Sequence, residues 1–331
     1  MDRPPDTFQA RFANAWRGLA NPHVRALAWL LDSPGLLDPA HPHWDGKIAT
    51  LPEPGGALRD WLFALDADPA PLLASLGDKT YTRLGLYAEK LIAFYFREQG
   101  TLVAHGLQVR AARNDTVGEF DFLLDAGNGN ALHIEFATKF YLLEGVWPDQ
   151  LDSLVGPNLA DSLGQKMRKI TSKQLALAEH PAAQAVLPRP VEKAQALVKG
   201  WLFYPRGTVS GLEGLDPGHC RGTWCSADEL EALEGESFIQ LARLEWLAPV
   251  RTADAGVVLS RVALGERLRE HFSVPAMPML VASVREEGGV WTEAARAFVV
   301  SEDWRARAAS RRDNVIPAKA GTHTDSTDAM K

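Results

Sequence analysis

The stretch EFDFLLDAGNGNALHIEFATKF, residues 119–140, decides the fold. Over Glu119 to Leu124, Phe120, Phe122 and Leu124 alternate with Glu119, Asp121 and Leu123 at the sheet period, which predicts a half-buried strand. Asp125-Ala126-Gly127-Asn128-Gly129-Asn130 is rich in residues that tolerate positive φ, so a compact turn follows. The extended pattern resumes from Ala131 to Phe140, with His133, Glu135, Ala137 and Lys139 on one side. A loop centred on Asn128 places Asp121 opposite Glu135. Directly opposed residues have β-carbons roughly 4.5 to 5.5 Å apart, so two like charges there are unfavourable without a cation or another compensating group. A slip by one residue would send one acid to the other face.

Working outward, Tyr81 to Gln99 predicts a long helix, with Leu84, Leu91 and Phe94 or Tyr95 at helical spacing. Glu89 lies near the apolar stripe, where a carboxylate is costly unless paired or hydrated. A salt bridge to Arg83, a boundary position and a place in an active site are the three readings. Leu102 to Ala111 suits another strand. Downstream, Leu159 to His180 predicts a helix on which Lys166, Lys169 and Lys173 recur three and four residues apart, with Gln174 beside them. Such a face is either solvated or turned toward phosphate. Ala194 to Tyr204 follows as a strand with Trp201 and Phe203 on one side.

The first eighty residues read as helical, with segments at Val24–Leu31, Ala57–Leu65 and Leu72–Leu76, and His41 and His43 in a loop form an incomplete ligand set. Beyond Pro205 the pattern predicts helices at Ala227–Leu233, Gly265–Phe272 and Trp291–Ala309 and a strand at Met277–Val284. Phe238–Leu247 suits either state, and a mobile tail is expected after Arg311.

At 46% hydrophobic residues the chain can bury a substantial core, and its net charge of -7 argues against a broadly basic nucleic-acid coat while leaving room for a local positive surface. MDRPPDTF does not read as a secretory signal, and the apolar segments 85–96 and 274–283 are short for a membrane span, so a cytoplasmic location without membrane insertion is expected. Cys220 and Cys225, separated by four residues, do not form a CxxC pair. Free, partly buried thiols are the expectation; a metal or redox role, with His219 as a further ligand, is the alternative. There is no internal repeat and no Gly-rich phosphate loop.

Two facing carboxylates suit Mg²⁺, which takes oxygen ligands and keeps waters. Asp121 and Glu135 would be its ligands, the Phe136 carbonyl would add an oxygen, and Glu89 would act through water. Lys139 is the candidate for holding a water or a phosphate charge. It stands four residues past Glu135, about 13 Å along an ideal strand, so that role needs a bulge or turn near Ala137.

Five segments carry a family resemblance: RLGLYAEKLIAFYF at 83–96, GEFDFLL at 118–124, HIEFATKFYL at 133–142, GPNLADSLGQKMRKITSKQL at 156–175 and HCRGTW at 219–224. Through them the chain resembles the DUF1853 family, which is similar in turn to the PD-(D/E)XK nuclease superfamily. The resemblance implies an α/β chain with a restriction-endonuclease-like mixed-sheet core flanked by helices at 81–205. A helical N-terminal region would occupy 1–80, an α+β extension packed on the core 206–310, and a flexible tail 311–331. It also implies a metal-dependent phosphodiesterase acting on DNA with Mg²⁺ or Mn²⁺. Glu89, Asp121, Glu135 and Lys139 would be catalytic, with Lys166, Lys169, Lys173 and Gln174 on the nucleic-acid backbone. The departure is Ala137, which stands where the motif has lysine. A catalytically inactive nucleic-acid-binding protein, or a scaffold for a protein partner, is the competing expectation.

Overall fold

The computed structural model describes residues 7–78, 80–112, 115–145, 149–208 and 211–315. Four helices lead: α1 (Phe8–Ala15), α2 (Pro22–Asp32), α3 (Gly56–Ala67) and α4 (Ala70–Leu76). Their limits follow from capping chemistry. Asn21 accepts the N–H groups of His23 and Val24 at the start of α2, and Pro22 at the first helical position gives up no bonded donor. Then come α5 (Leu84–Glu98), β1 (Leu102–Ala112), β2 (Asp115–Asp125), β3 (Ala131–Leu143), β4 (Leu154–Val155), α6 (Leu163–Lys169), α7 (Pro181–Gln184) and β5 (Val191–Pro205). The remainder is β6 (Arg221–Ser226), β7 (Ser237–Gln240), β8 (Arg251–Thr252), β9 (Leu259–Ser260), α8 (Arg261–His271), β10 (Met279–Glu287), β11 (Val290–Val300) and α9 (Trp304–Val315).

The strands form one mixed sheet in the order β1-β2-β3-β5-β6-β11-β10-β7-β9, with β4 added to β3 and β8 to β11. Its centre, β3-β5-β6-β11, is parallel. Antiparallel pairs flank it on both sides. A parallel centre is buried on both faces, and here both are covered. Leu197, Trp201 and Phe203 of β5 pack under α1 to α5, where Trp201 stacks on Trp29 with ring centres 6.3 Å apart. Ala196, Val198 and Leu202, on the other face, meet Leu163, Met167 and Ile170 of the α6 region. The architecture is α/β, with N-terminal helices and a central mixed sheet flanked by helices.

The 119–140 hairpin has the predicted register: Phe122 pairs with Ile134, Leu123 with His133 and Asp125 with Ala131, which centres the turn on Asn128. The predicted alternation fails at one point. Phe122 and Leu124 enter the helix-covered core, but Phe120 packs with Leu123 against Leu177 and Ala183 on the other side. The change of face falls at Asp121. Gly106, which the pairs His105–Phe122 and Leu107–Phe120 set opposite Asp121, has φ +64, a conformation that costs glycine nothing.

Three further expectations are corrected. The helix over 159–180 is broken: Leu159 has φ +59, α6 spans only Leu163–Lys169, a π-turn occupies Ile170–Gln174 and a 3₁₀ turn Leu177–Glu179. Trp291–Ala309 is not one helix, because its first half is β11, a strand between β6 and β10. Its Ala-rich sequence favours a helix locally, and two strand partners override that preference. The predicted tail also starts too early: α9 runs through Arg311, whose guanidinium donates to Gln165 Oε1 at 2.7 Å, while residues 316–331 lie outside the described residues.

Arg296 of β11 joins the two halves of the chain. Fully buried, it pairs with Glu293 at 2.7 Å, lies over the Trp201 ring at 3.8 Å and donates to the carbonyls of Trp246 and Ala248. Removing one partner of a buried pair strands the other charge. Arg296→Met is therefore expected to lower unfolding stability by about 3 to 5 kcal/mol, measured by urea denaturation.

Candidate active site

A cleft of about 670 Å³ opens where α5, the ends of β2 and β3, the 156–161 loop and α6 meet. The geometry begins with Asp121. The paired rungs of the β2–β3 ladder end at Phe122–Ile134, one rung short of Asp121 and Glu135. There the Phe136 N–H donates to Asp121 Oδ2 at 2.9 Å. The side chain of Asp121 thus takes a backbone donor of the neighbouring strand, which fixes its carboxylate at the cleft floor beside Glu135.

Glu135 is 2% exposed. Gln174 Nε2 donates to its Oε1, whereas its buried Oε2 has no hydrogen-bond partner among the described residues. Burial, and then the charge of Asp121, raises the Glu135 pKa well above the ordinary carboxylate range. Burial also raises Asp121; the Phe136 N–H opposes that shift, Glu89 adds to it and Lys166 opposes it. Behind the pair sits His133, fully buried and edge-on to Phe120, with Nε2 4.0 Å from Glu135 Oε2. Burial pushes the imidazole down to about 4, so it is neutral and adds no charge.

Glu89 comes from α5 and lines the same cleft. Its partner is not Arg83: Oε1 lies 2.7 Å from His105 Nε2 on β1, and the His105 ring stacks on Phe122 at 5.2 Å. Sequence spacing offers no signal for that contact, since His105 arrives on a different strand.

The lysines divide in a way the linear pattern does not show. β3 pairs with β5 without interruption from Glu135–Ala196 through Ala137–Val198 to Lys139–Gly200, so the bulge that would bring Lys139 back is absent. Lys139 lines the far end of the cleft, where its Nζ bonds Asp161 Oδ2 at 2.8 Å and Tyr141 donates to the same oxygen at 3.1 Å. Lys166 of α6 stands nearer the acids. Burial lowers its pKa against the pull of Glu135 and Asp121, and its Nζ donates to Gln174 Oε1 at 3.3 Å. The π-turn widens the helix by about one residue per turn and brings Gln174 round to the Lys166 side. Lys169 and Lys173 stay exposed. Of the four residues expected on one basic face, Lys166 lines the cleft, Gln174 reaches it only through its bonds to Lys166 and Glu135, and Lys169 and Lys173 remain outside.

The C-terminal half supplies a wall that local sequence patterns do not signal: Arg243, Trp246 and Met277 line the cleft, with the Arg243 guanidinium 4.2 Å from the Trp246 ring centre. Asp121 and Glu135, with the Phe136 backbone beside them, are the groups that could hold a cation. Among the described residues, no group of three or more His, Cys, Asp or Glu side chains is arranged to hold a metal. Cys220 and Cys225 are buried free thiols whose pKa burial pushes up to about 12.

A family model described as "Domain of unknown function (DUF1853)" matches residues 25–300. The chain belongs to the DUF1853 family. The match takes in both halves of the sheet and every wall of the cleft. No curated protein and no solved structure matches the chain. Among the described residues no helix is long and apolar enough to cross a membrane.

The raised carboxyls set a pH dependence. A carboxyl whose folded pKa exceeds its unfolded one stabilises the fold below the unfolded value and loses that contribution as pH rises through the folded value. The melting temperature of chelator-treated protein is thus expected to fall as pH rises from about 5 to about 8, and Glu135→Gln to flatten that slope. Differential scanning calorimetry across this range measures both.

Proposed function

We propose that this DUF1853 protein is a metal-dependent phosphodiesterase acting on DNA, with a restriction-endonuclease-like core over 81–205. The observation that carries the reading is the convergence of Glu89, Asp121, Glu135 and Lys166 in one cleft, from α5, β2, β3 and α6. That is the arrangement the superfamily resemblance implies, with a lysine from the flanking helix in place of one on the strand. The unpartnered buried oxygen of Glu135, and two adjacent carboxyls that burial drives toward protonation, fit a small hard cation, Mg²⁺ or Mn²⁺. Asp121, Glu135 and the Phe136 carbonyl would hold it, and when bound it supplies polarisation of the phosphodiester and acidification of water.

The chain's own groups do the rest. Lys166 offers a cation beside the acids, where developing negative charge on the phosphate is met by a positioned donor. Gln174 bridges Lys166 and Glu135 and sets both orientations. Glu89, held by His105, is placed to orient a water. Lys139, its charge balanced by Asp161, and Arg243, stacked on Trp246, sit where the flanking phosphates would run. Lys169 and Lys173 extend the positive surface outside. A second reading, binding without cleavage, is favoured by the pairing of Lys139 with Asp161 and by a two-carboxylate donor set.

Metal-stripped protein offered plasmid, linear, branched and single-stranded DNA with Mg²⁺ or Mn²⁺ separates the two readings. Cleavage is expected to fall roughly 100-fold or more in Asp121→Asn, Glu135→Gln and Lys166→Met, but to stay within roughly fivefold of wild type in Lys139→Met, which loses a partly exposed pair. Binding without cleavage by the wild type on every substrate would leave the second reading. For the outer surface, Lys169→Gln with Lys173→Gln is expected to reduce the slope of log binding constant against log salt by about 2, read by fluorescence anisotropy.

A further inference from the structure

The HCRGTW segment, 219–224, contributes nothing to the acidic cleft, and most of it is explained by packing. Cys220 is fully buried under the N-terminal helices. Gly222 is required, since a Cβ there would lie 2.6 Å from the Phe203 ring and 2.8 Å from the Arg296 carbonyl oxygen. Trp224 fills the core and donates to the Leu143 carbonyl at 2.9 Å. His219 is locked in one tautomer. Its Nδ1 faces the Asp216 carbonyl at 2.5 Å, which can only accept, so the proton sits on Nδ1 and Nε2 accepts the Tyr204 hydroxyl at 2.8 Å.

Arg221 and Thr223 are left over. Both line a second cavity, of about 420 Å³, together with Thr7, Gln9, Tyr204 and His219. The Arg221 guanidinium lies over the Tyr204 ring, 4.1 Å from its centre, and forms no ion pair among the described residues. Among the described residues no Asp or Glu lines this cavity, although the protein as a whole is acidic. The Asp216 carboxylate, three residues before His219, accepts the Gly218 N–H at 2.7 Å and is not part of the lining. The first turn of α1, the positive end of its dipole, forms another wall through Thr7, Phe8 and Gln9.

We propose that this cavity is a binding site for a small molecule carrying a phosphoryl group, separate from the acidic cleft. Contact with the Tyr204 ring limits the motion of the Arg221 guanidinium, whose planar fork can match two phosphate oxygens. The Thr223 hydroxyl adds a neutral donor, and the α1 terminus adds a favourable field. The Tyr204–His219 bond fixes the platform beneath the arginine. The volume falls within the range of small-molecule sites, roughly 300 to 1,000 Å³, and leaves room for an organic body beyond the phosphoryl group.

Isothermal titration calorimetry of the full chain with inorganic phosphate, AMP and uncharged adenosine tests the assignment. Saturable binding of AMP, of phosphate or of both is expected, with none of adenosine. Arg221→Gln should weaken that binding roughly tenfold or more, the loss of a charge-assisted hydrogen bond. Thr223→Val, at an exposed position, should weaken it severalfold without affecting folding, and decides the matter if Arg221→Gln fails to fold. Asp121→Asn should bind like the wild type. The proposal is overturned if neither phosphate compound binds at millimolar concentration, if Arg221→Gln and Thr223→Val bind like the wild type, or if Asp121→Asn loses binding, which would locate the ligand in the acidic cleft. DNA cleavage does not enter this readout, so failure of the nuclease reading leaves the outcome intact.

Discussion

The cleft depends on one cross-strand bond, from the Phe136 amide to the Asp121 carboxylate. Where the β2–β3 ladder stops, backbone pairing would normally continue; a side chain takes over instead and holds a carboxylate against the strand that carries a second one. On the other flank Gly106, opposite Asp121, adopts a left-handed conformation. The consequence is a pair of acids in an enclosed place, where burial opposes the ionisation of both and the charge of Asp121 further opposes that of Glu135. Such an arrangement lowers stability at neutral pH. The pair lines a cleft of about 670 Å³, and strongly shifted carboxyls in a cleft are a common mark of functional sites.

Around that bond, neighbouring elements bring further polar groups to the cleft. α5 brings Glu89, steadied by His105 of β1; the region after β3 brings Asp161 to Lys139; α6 brings Lys166; and the π-turn returns Gln174 to bridge lysine and glutamate. A regular α-helix would set residue 174 about 12 Å along the axis from Lys166, whereas the π-turn shortens and rotates that path. The irregularity that ends the helix is therefore the feature that completes the polar chain.

The C-terminal half shares the sheet of the first half. β5, β6 and β11 run parallel and adjacent, and the buried Arg296–Glu293 pair ties β11 to Trp201 on β5 and to the carbonyls of the 246–248 segment. Trp246 lies in that segment and, with Arg243, forms a wall of the cleft. The geometry of the cleft is thus tied to the integrity of the whole sheet.

Local sequence determined a good deal. The period-two pattern and the Gly- and Asn-rich turn set the 119–140 hairpin and its register, because alternation and turn chemistry act over a few residues; the opposition of Asp121 and Glu135 follows from them. The spacing in α5 likewise placed Leu84, Leu91 and Phe94 in the core. Tertiary structure decided the rest. Phe120 left the predicted face with the change of side at Asp121, opposite Gly106, and β11 became a strand because pairing between β6 and β10 buries Ala297 to Val300 in the sheet. Which lysine approaches the acids depended on a straight β3 that keeps Lys139 away and on a broken helix that swings Lys166 and Gln174 in. Those outcomes rest on contacts between residues far apart in the chain, such as Phe120 with Leu177 and Ala183 or β11 with β6. Local periodicity carries no record of such pairings, since each is set by how whole elements pack.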